Sequence, residues 1–423
     1  MAETRATVVL TTIFDTPVLE TYYANFARYG RLGQVEVIEV PDQKTPPAVF
    51  AGCRELSQRG LGCRCPSLEE QEAFLNSVGL PAHLVPYNSD NRRNVGFLMA
   101  LASGADFLIS LDDDNYCLPE EDVFAAHAVV TAGEGEHAVV ESPNRFFNFC
   151  DLLEFDQPGS REENDPLTAC LRARLGNPLE TLGTWPSRDR QGADGPFFSR
   201  LPAPCYPRGY PYFARRSDHP TIRTVGRAEV HMNAGLWLCD PDVDAITWLV
   251  SAPHVVGFKG DSVVLGLNTW SPVNTQNTAL RREAIPSYYF VRMGYPVGGA
   301  SIDRYGDIFS GYFAQACVKQ VGGLVRAGAP VADHRRNSHN HLRDATREWP
   351  CILVLEDLLP WLAEVKLSGD SHLGAYLSLS HELDEVVEKI HGPIWNEATR
   401  GYFHQMSYYM RRWLGACKGI LGG

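Results

Sequence analysis

Hydrophobic residues along the N-terminal half alternate between short runs and helical spacing. Residues 7–13, Thr-Val-Val-Leu-Thr-Thr-Ile, are rich in β-branched side chains and predict a first strand. The Asp15-Thr16-Pro17 that follows reads as a turn opening a helix, with Leu19, Tyr22, Tyr23 and Phe26 at helical spacing. A second strand is predicted over 34–40, closed by Pro41, so that strand, helix and strand begin a parallel sheet. Further helices are predicted over 67–78, where Ser67 and Glu70 have capping-box spacing, and over 97–102, after the polar turn 88–96. The run 107–111, Phe-Leu-Ile-Ser-Leu, has the near-continuous apolarity of a strand covered on both faces. A helix over 123–131 and a strand near 138–140 come next. From 156 to 203 the pattern gives way to Pro, Gly, Arg, Asp and Glu, with one helical interlude at 166–175, which predicts an insertion or lid rather than sheet core. Towards the C-terminus the spacing is again helical, for instance over 353–365, kinked at Pro360, and over 383–390.

The strand at 107–111 ends abruptly in Asp112, Asp113 and Asp114. Ligands of open α/β sheets bind outside the carboxyl ends of the strands, which places these acids where a ligand would sit. Clustered anions repel one another unless a cation neutralises them. Asp-x-Asp spacing lets Asp112 and Asp114 reach one hard, oxygen-seeking ion, and Mg²⁺ or Mn²⁺ on a diphosphate is the natural guest. The alternative is an acidic helix start, with Asp114 or Asn115 as the cap. Arg93, at the helix start just before this strand, offers fixed charge beside free backbone N–H groups and so a seat for an anion; the alternative is a pair of solvated arginines, Arg92 and Arg93.

Composition narrows the possibilities. The 423 residues, 44% hydrophobic and 21% charged, suit one large soluble domain with appendages or two domains. A net charge of −13 argues against nucleic-acid polymers and anionic membranes as partners. No apolar run approaches the length of a membrane span and the N-terminal residues lack a leader pattern, so a cytoplasmic protein without membrane insertion is expected. The densest group of the 11 cysteines, Cys53, Cys63 and Cys65, lacks paired Cys-x-x-Cys spacing and reads as reduced and structurally ordinary. No glycine-rich dinucleotide fingerprint follows the first strand, so neither flavin nor nicotinamide is expected.

The second half carries a series of unusual short motifs. They are Arg208-Gly209-Tyr210-Pro211, Gly235-Leu236-Trp237-Leu238 with Pro241-Asp242 and Asp244-Ala245, Asn277, Arg304-Tyr305 with Asp307, and His334. Together with Leu111-Asp112-Asp113-Asp114, and in this order, they resemble the reversibly glycosylated polypeptides, the nucleotide-sugar pyranose/furanose mutases best known as plant UDP-arabinopyranose mutases. The resemblance runs from Val8 to about Trp349, apart from the insertion. It implies an α/β, GT-A-like (Rossmann-like) fold with a mostly parallel sheet flanked by helices: a nucleotide-sugar-binding domain over 1–345 and a C-terminal helical region over 346–423. It also implies Mn²⁺ (or Mg²⁺) on Asp112 and Asp114, and a nucleotide diphosphate met by Arg93 and the acidic run, Asp113 included. Arg208 matches the arginine that becomes reversibly glycosylated in the family. Three departures stand out. Gly306 occupies the place of a second aspartate after Arg-Tyr, the 156–203 insertion has no plant counterpart, and the first strand and residues 54–86 are dissimilar. GDP and a hexose or deoxyhexose are therefore as admissible as UDP and a pentose.

A mutase must detach the sugar, let its ring re-form through another hydroxyl and return it to the same nucleotide. The cation and Arg93 would stabilise the leaving diphosphate. Arg208 would hold the detached sugar, but arginine stays protonated, so a carboxylate must help it, with Asp303 and Asp307 as candidates. The alternative for Arg208 is a structural arginine stacked on Tyr206 or Tyr210. His334 is a candidate third metal ligand, with His339 and His341 close in sequence. Tyr210, Asn233, Trp237, Asp242, Asn277 and Arg304 are the candidate sugar contacts, set against a core role for Trp237 and a turn role for Asp242 and Asp244. Two other readings compete: a glycosyltransferase passing the sugar to a separate acceptor, which a flap at 156–203 would suit, and a non-catalytic scaffold subunit of the same fold. A homo-oligomer is possible under each.

Overall fold

Strands buried on both faces form the centre of the sheet. In a computed structural model that describes residues 3–156, 205–215, 221–297, 299–337 and 339–422, the strands are β1 (Ala6–Thr12), β2 (Val35–Pro41), β3 (Gly62–Arg64), β4 (Phe107–Leu111), β5 (Asn115–Cys117), β6 (Gly135–Glu141), β7 (Leu153–Phe155), β8 (Ile222–Ala228), β9 (Val230–Cys239), β10 (Val255–Phe258), β11 (Val263–Leu265), β12 (Asn277–Arg281), β13 (Tyr295–Val297), β14 (Ala300–Ile302) and β15 (Leu324–His334). All but β13 and β14, which pair separately, join one sheet with the path β3-β2-β1-β4-β12-β9-β15-β11-β6-β8. The expected α/β architecture with C-terminal helices is what the chain adopts, and most strands of the sheet run in one direction. The stretch β3-β2-β1-β4 is parallel, β12 enters antiparallel between β4 and β9, and β9 pairs parallel with β15.

That order positions the site. β4, β9 and β15 point the same way, so Asp112–Asp114 after β4, Asp240–Asp242 after β9 and His334 at the end of β15 arrive at one edge, where the turn entering β12 also lies. Successive side chains of a strand face opposite layers. Ala6, Val8 and Leu10 of β1 pack with Phe107, Ile109 and Leu111 of β4 beneath the helix Val18–Arg28. Val9 and Leu108 face the other layer, shared with the helices Arg93–Ser103, Gly306–Gln320, His341–Leu362, His372–Val386 and Glu397–Leu421. The C-terminal helices thus bury their apolar faces against the sheet layer.

Several boundaries differ from the pattern-based expectations for physical reasons. The C-terminal helix expected from 353 begins at His341, because the Asn340 side chain caps it by accepting from Arg343 N, and it runs through Pro350 and Pro360. The helix expected at 97–102 starts at Arg93. Asp114 and Asn115 do not cap a helix: β5 intervenes, and Asp122 caps the helix Val123–His127. The insertion or lid expected over 156–203, with its helical interlude, lies outside the described residues except for Asp156. Among the described residues no helix is long and apolar enough to cross a membrane.

Candidate active site

Arg93, the first residue of its helix, is buried and reaches the end of β4. Its Nη1 donates to Ser110 Oγ and the Leu111 carbonyl, both at 2.7 Å, and to the Thr275 carbonyl at 3.3 Å; its Nη2 donates to Asp112 Oδ1 at 2.5 Å. Burial raises Asp112 to about 6 despite Arg93, and neighbouring Asp114 and Asp113 add to the rise. Asp113 turns towards β1, where its carboxylate accepts from Thr12 Oγ1 at 2.6 Å. Asp114 faces His334, whose Nε2 lies 3.6 Å from Asp114 Oδ2. His334 Nδ1–H donates to the Asp240 carbonyl at 2.5 Å, which fixes the tautomer and leaves Nε2 for Asp114 or a cation. Burial alone would lower the His334 pKa, but Asp114 outweighs it and the value is raised; reciprocally, His334 overcomes burial and lowers that of Asp114. Asp112, Asp114 and His334 reach the same edge, but their ligand atoms do not all fall within 4.8 Å of one another, and Asp112 is paired with Arg93. Beside it, between the ends of β1 and β2, a cleft of about 280 Å³ is lined by Thr12, Phe14, Asp42, Lys44, Asn88 and Asp113.

Arg208 lies deeper along the same edge, in a turn that the sequence enforces. Pro207 bridges to Val243, Arg208 N–H donates to the Asp242 carbonyl at 2.8 Å, and Gly209 has φ +85° with no room for a Cβ, which would meet Ile308 Cγ2 at 2.4 Å. All five guanidinium N–H donors are engaged. Nε and Nη2 donate to Asp242 (2.8 and 3.1 Å), Nη1 and Nη2 to Asp307 (3.1 and 2.6 Å), and Nη1 also to the Arg304 carbonyl at 2.5 Å. Burial would lower the Arg208 pKa, yet the two carboxylates hold it well above its ordinary value. Asp242 is held low by Arg208 against the opposing effect of burial. The guanidinium lies 5.5 Å from the Tyr305 ring centre; Tyr206 and Tyr210, the expected stacking partners, pair with each other instead.

Of the two acids considered beside Arg208, Asp307 is the one in contact. Asp303 accepts from Arg304 N at 2.9 Å and faces Arg347 at 3.8 Å. Gly306 is glycine because a Cβ there would lie 2.6 Å from the Val291 carbonyl oxygen, so no second acid fits at that position. The Asp242 carboxylate, expected to meet sugar, is committed to Arg208 and to Asn274 Nδ2 (2.7 Å). Arg304, with a left-handed φ of 64°, points its side chain at Asp344 and Glu348 of the helix His341–Leu362 and is not free for sugar. Asp244 serves the turn: it caps the helix Ala245–Ser251 and pairs with Arg215.

Four more candidate sugar contacts are not presented to the edge. Asn233 and Asn277 are buried on either side of His127. His127 Nδ1 accepts from Asn233 Nδ2 at 3.0 Å, and its Nε2–H donates to Asn277 Oδ1 at 2.9 Å, so one neutral tautomer satisfies both. Their remaining polar atoms meet Arg326 and the Ala329 and Pro330 carbonyls. Tyr210 is buried, with its hydroxyl donated to the Phe146 carbonyl at 3.2 Å, and Trp237 is 3% exposed within the core. Pattern reading missed Asn274, Gln276 and Arg336. Asn274 Nδ2 donates to both Asp242 and Gln276 Oε1, and the Gln276 carbonyl accepts from Asp112 N–H at 3.1 Å, so this turn couples the Arg208 cluster to the acidic run. Arg336 lies beside Trp248 with a buried Nη1 that has no partner, and it acts electrostatically on Asp242.

The family model described as reversibly glycosylated polypeptide matches residues 201–420, just over half of the chain. This chain belongs to the reversibly glycosylated polypeptide family. Among relatives in the family, the probable UDP-arabinopyranose mutase 1 of Pisum sativum is 33% identical over 183 residues, 42% of this chain and 46% of the relative. The UDP-arabinopyranose mutase 1 of Arabidopsis thaliana is 29% identical over 229 residues, 54% and 55% of the two chains. The chain spans about half the length of the curated relatives it matches. Among solved structures, glucosyl-3-phosphoglycerate synthase from Mycobacterium tuberculosis in complex with Mn²⁺ and UDP-glucose aligns over 86% of this chain and 81% of that one, at 13% identity and a TM-score of 0.35.

Proposed function

We propose that this protein is a metal-dependent nucleotide-sugar mutase that interconverts the pyranose and furanose forms of a UDP- or GDP-linked sugar. The observation that carries the reading is the Arg208 guanidinium, buried in a double carboxylate grip one turn of chain away from the acidic strand end. An arginine that holds the detached sugar is useful to a mutase and unnecessary to an inverting transferase. The names of the family relatives make UDP-arabinopyranose the first substrate to test.

The residues divide the work as follows. Asp114, His334 and Asp112 would hold Mn²⁺ or Mg²⁺, which when bound supplies positive charge to the departing diphosphate. The cleft beside β1 and β2 takes the nucleoside, with exposed Phe14 as a stacking surface and Lys44 as a cation at its rim. Arg93 acts through Asp112, holding its carboxylate at the edge. Arg208 receives the sugar: the bond from the anomeric carbon to phosphate oxygen breaks with its electrons on the nucleotide, a bond from Nη2 to that carbon forms, and the Nη2 proton passes to Asp307. With the sugar on Nη2, the bond from the anomeric carbon to the ring oxygen would break, leaving an iminium to Nη2 and a hydroxyl in place of the ring oxygen. The 4-hydroxyl of a former pyranose, or the 5-hydroxyl of a former furanose, would then add to that carbon and lose its proton. The nucleotide phosphate would displace Nη2, which recovers its proton from Asp307.

Incubating the protein with UDP- and GDP-sugars in Mn²⁺, and separating pyranose from furanose forms, tests this directly. Interconversion that is lost in Arg208→Ala supports it. No furanose isomer from any donor, or wild-type turnover in Arg208→Ala, overturns it in favour of a transferase or a scaffold subunit.

A further inference from the structure

The cysteines that carried no signal in the sequence form a cluster with an acid on the far side of β2 from the sugar site. Val37 of β2 is registered beside Cys63 of β3, so Glu39 and Cys65, each two residues further along adjacent parallel strands, project to the same layer as Cys63. Into that layer the helix Pro47–Gln58 lowers Cys53, buried on the same face as Val49 and Leu56. Cys53 Sγ lies 2.8 Å from Cys63 Sγ, and ligand atoms of Glu39, Cys53 and Cys63 all fall within 4.8 Å of one another. Ser57 Oγ ties the helix to the strand by donating to the Cys53 and Cys63 carbonyls.

The carboxylate supplies the second, independent observation. Glu39 is fully buried; its Oε1 accepts from Thr16 Oγ1 at 2.6 Å, and its Oε2 has no hydrogen-bond partner. A buried carboxylate oxygen left unpaired carries a desolvation cost of about 1–3 kcal/mol, so a group with one invites a partner. A disulfide between Cys53 and Cys63 would consume both sulfurs and leave Oε2 as it is. A borderline-soft divalent cation uses thiolates and carboxylate together, at about 2.3 Å to sulfur and 2.0–2.2 Å to oxygen. Tetrahedral bonds of that length set two sulfurs about 3.7 Å apart, so Cys53 and Cys63 part from 2.8 Å to admit it. A groove of about 150 Å³ lined by Thr16, Val49, Gly52, Cys53 and Leu56 leads from the surface to the cluster.

We infer that Glu39, Cys53 and Cys63 form a three-donor binding site for a zinc-class cation, completed by solvent and distinct from the edge at Asp112 and Asp114. Binding replaces the protons of the thiols, which leave to solvent as the thiolate–metal bonds form. Because Glu39 also holds Thr16 in the chain leaving β1, a cation here fixes that segment next to the nucleoside cleft.

The test uses the full chain, reduced and stripped of metal, in an Asp112→Ala/Asp114→Ala background so that the other cation site does not contribute. Co²⁺ titration is expected to give a thiolate-to-cobalt charge-transfer band saturating at one equivalent, displaced by stoichiometric Zn²⁺. Cys53→Ser should abolish the band, and Glu39→Gln should weaken Co²⁺ binding at least tenfold while circular dichroism stays unchanged. Cys63→Ser, at a less buried position, provides the readout if Cys53→Ser does not fold, and should likewise abolish or strongly shift the band. The inference is overturned if the wild type shows no charge-transfer band, if the band survives all three substitutions, or if the protein instead loses two hydrogens to a Cys53–Cys63 cross-link and takes up no cation.

Discussion

Replacing Arg208 by alanine tests the double carboxylate grip thermodynamically. In the wild type, Asp242 and Asp307, 4% and 8% exposed, face one guanidinium that satisfies them with four of its N–H donors. Removing the cation leaves two buried anions facing each other, and breaking a buried ion pair from one side costs about 3–5 kcal/mol. That is a large share of the about 5–15 kcal/mol that separates a native protein from its unfolded state. The sign of a second substitution then depends on the background. Asp242→Asn in the wild type removes charge-assisted hydrogen bonds at a cost of about 1.5–3 kcal/mol. In Arg208→Ala it removes a stranded charge, so it is neutral or stabilising. The expected coupling is therefore at least about 1.5 kcal/mol, inside the range found for residues of one network. Urea unfolding of the four proteins at pH 7, followed by circular dichroism and tryptophan fluorescence together, measures it. Losses that add within about 0.5 kcal/mol would falsify the grip as described.

Other expectations follow from the same geometry. Calorimetric titration with UDP and with GDP should show binding that strengthens in Mn²⁺ and loses that dependence in Asp112→Ala/Asp114→Ala or after chelation; metal-independent binding unchanged in the variant counts against the edge as a cation site. Mn²⁺ affinity should rise with pH, because His334, its pKa raised by Asp114, must lose its proton to ligate, and His334→Ala should flatten that dependence. His127 is lowered to about 4 by burial, so the unfolded chain binds its proton first as pH falls; wild-type stability should drop between about pH 6.5 and 4, and His127→Gln should remove that part of the drop in acid unfolding curves. Gly235→Ala puts a Cβ 2.4 Å from the Pro330 carbonyl and should destabilise by about 1–3 kcal/mol, whereas Gly52→Ala, which meets nothing within 4 Å, should not.

What the sequence revealed depended on how far a residue's partners lie from it along the chain. The Ser67–Glu70 capping box is a three-residue device, and both of its hydrogen bonds form. The acidic strand end was equally legible, because continuous apolarity followed by acids is written in adjacent positions. Asn233 and Asn277 were misplaced because their neighbour His127 lies 106 and 150 residues away. From the chain alone, an asparagine that completes a buried imidazole cannot be told from one that waits for a sugar hydroxyl. Arg304 failed for a similar reason: its partners are on a helix that the pattern began too late, missing the turn that carries Asp344 and Glu348. The Cys53, Cys63 and Glu39 cluster was invisible because three separate elements supply it and no spacing rule spans them.

If Arg208 takes the sugar as proposed, its five engaged donors say which carboxylate would yield. A guanidinium nitrogen can bond carbon only after it gives up a proton and the acceptor on that edge withdraws. Asp242 is pinned: its Oδ1 accepts from Nε, its Oδ2 from Nη2 and from Asn274, and its backbone carbonyl accepts from Arg208 N–H. Asp307 Oδ2 has Arg208 Nη2 as its sole hydrogen-bond partner among the described residues, at 2.6 Å, while its Oδ1 is steadied by Ile308 N–H at 2.9 Å. In the proposed mechanism Asp307 would then be the proton acceptor and Asp242 the anchor. Loss of a positioned general base costs about 10²–10⁴-fold in rate. Asp307→Asn should therefore lose turnover by that factor while still binding nucleotide, and Asp242→Asn should lose stability more than it loses rate once folded. Equal rate losses in the two variants, measured on folded protein with saturating substrate, would show that the two carboxylates share one role.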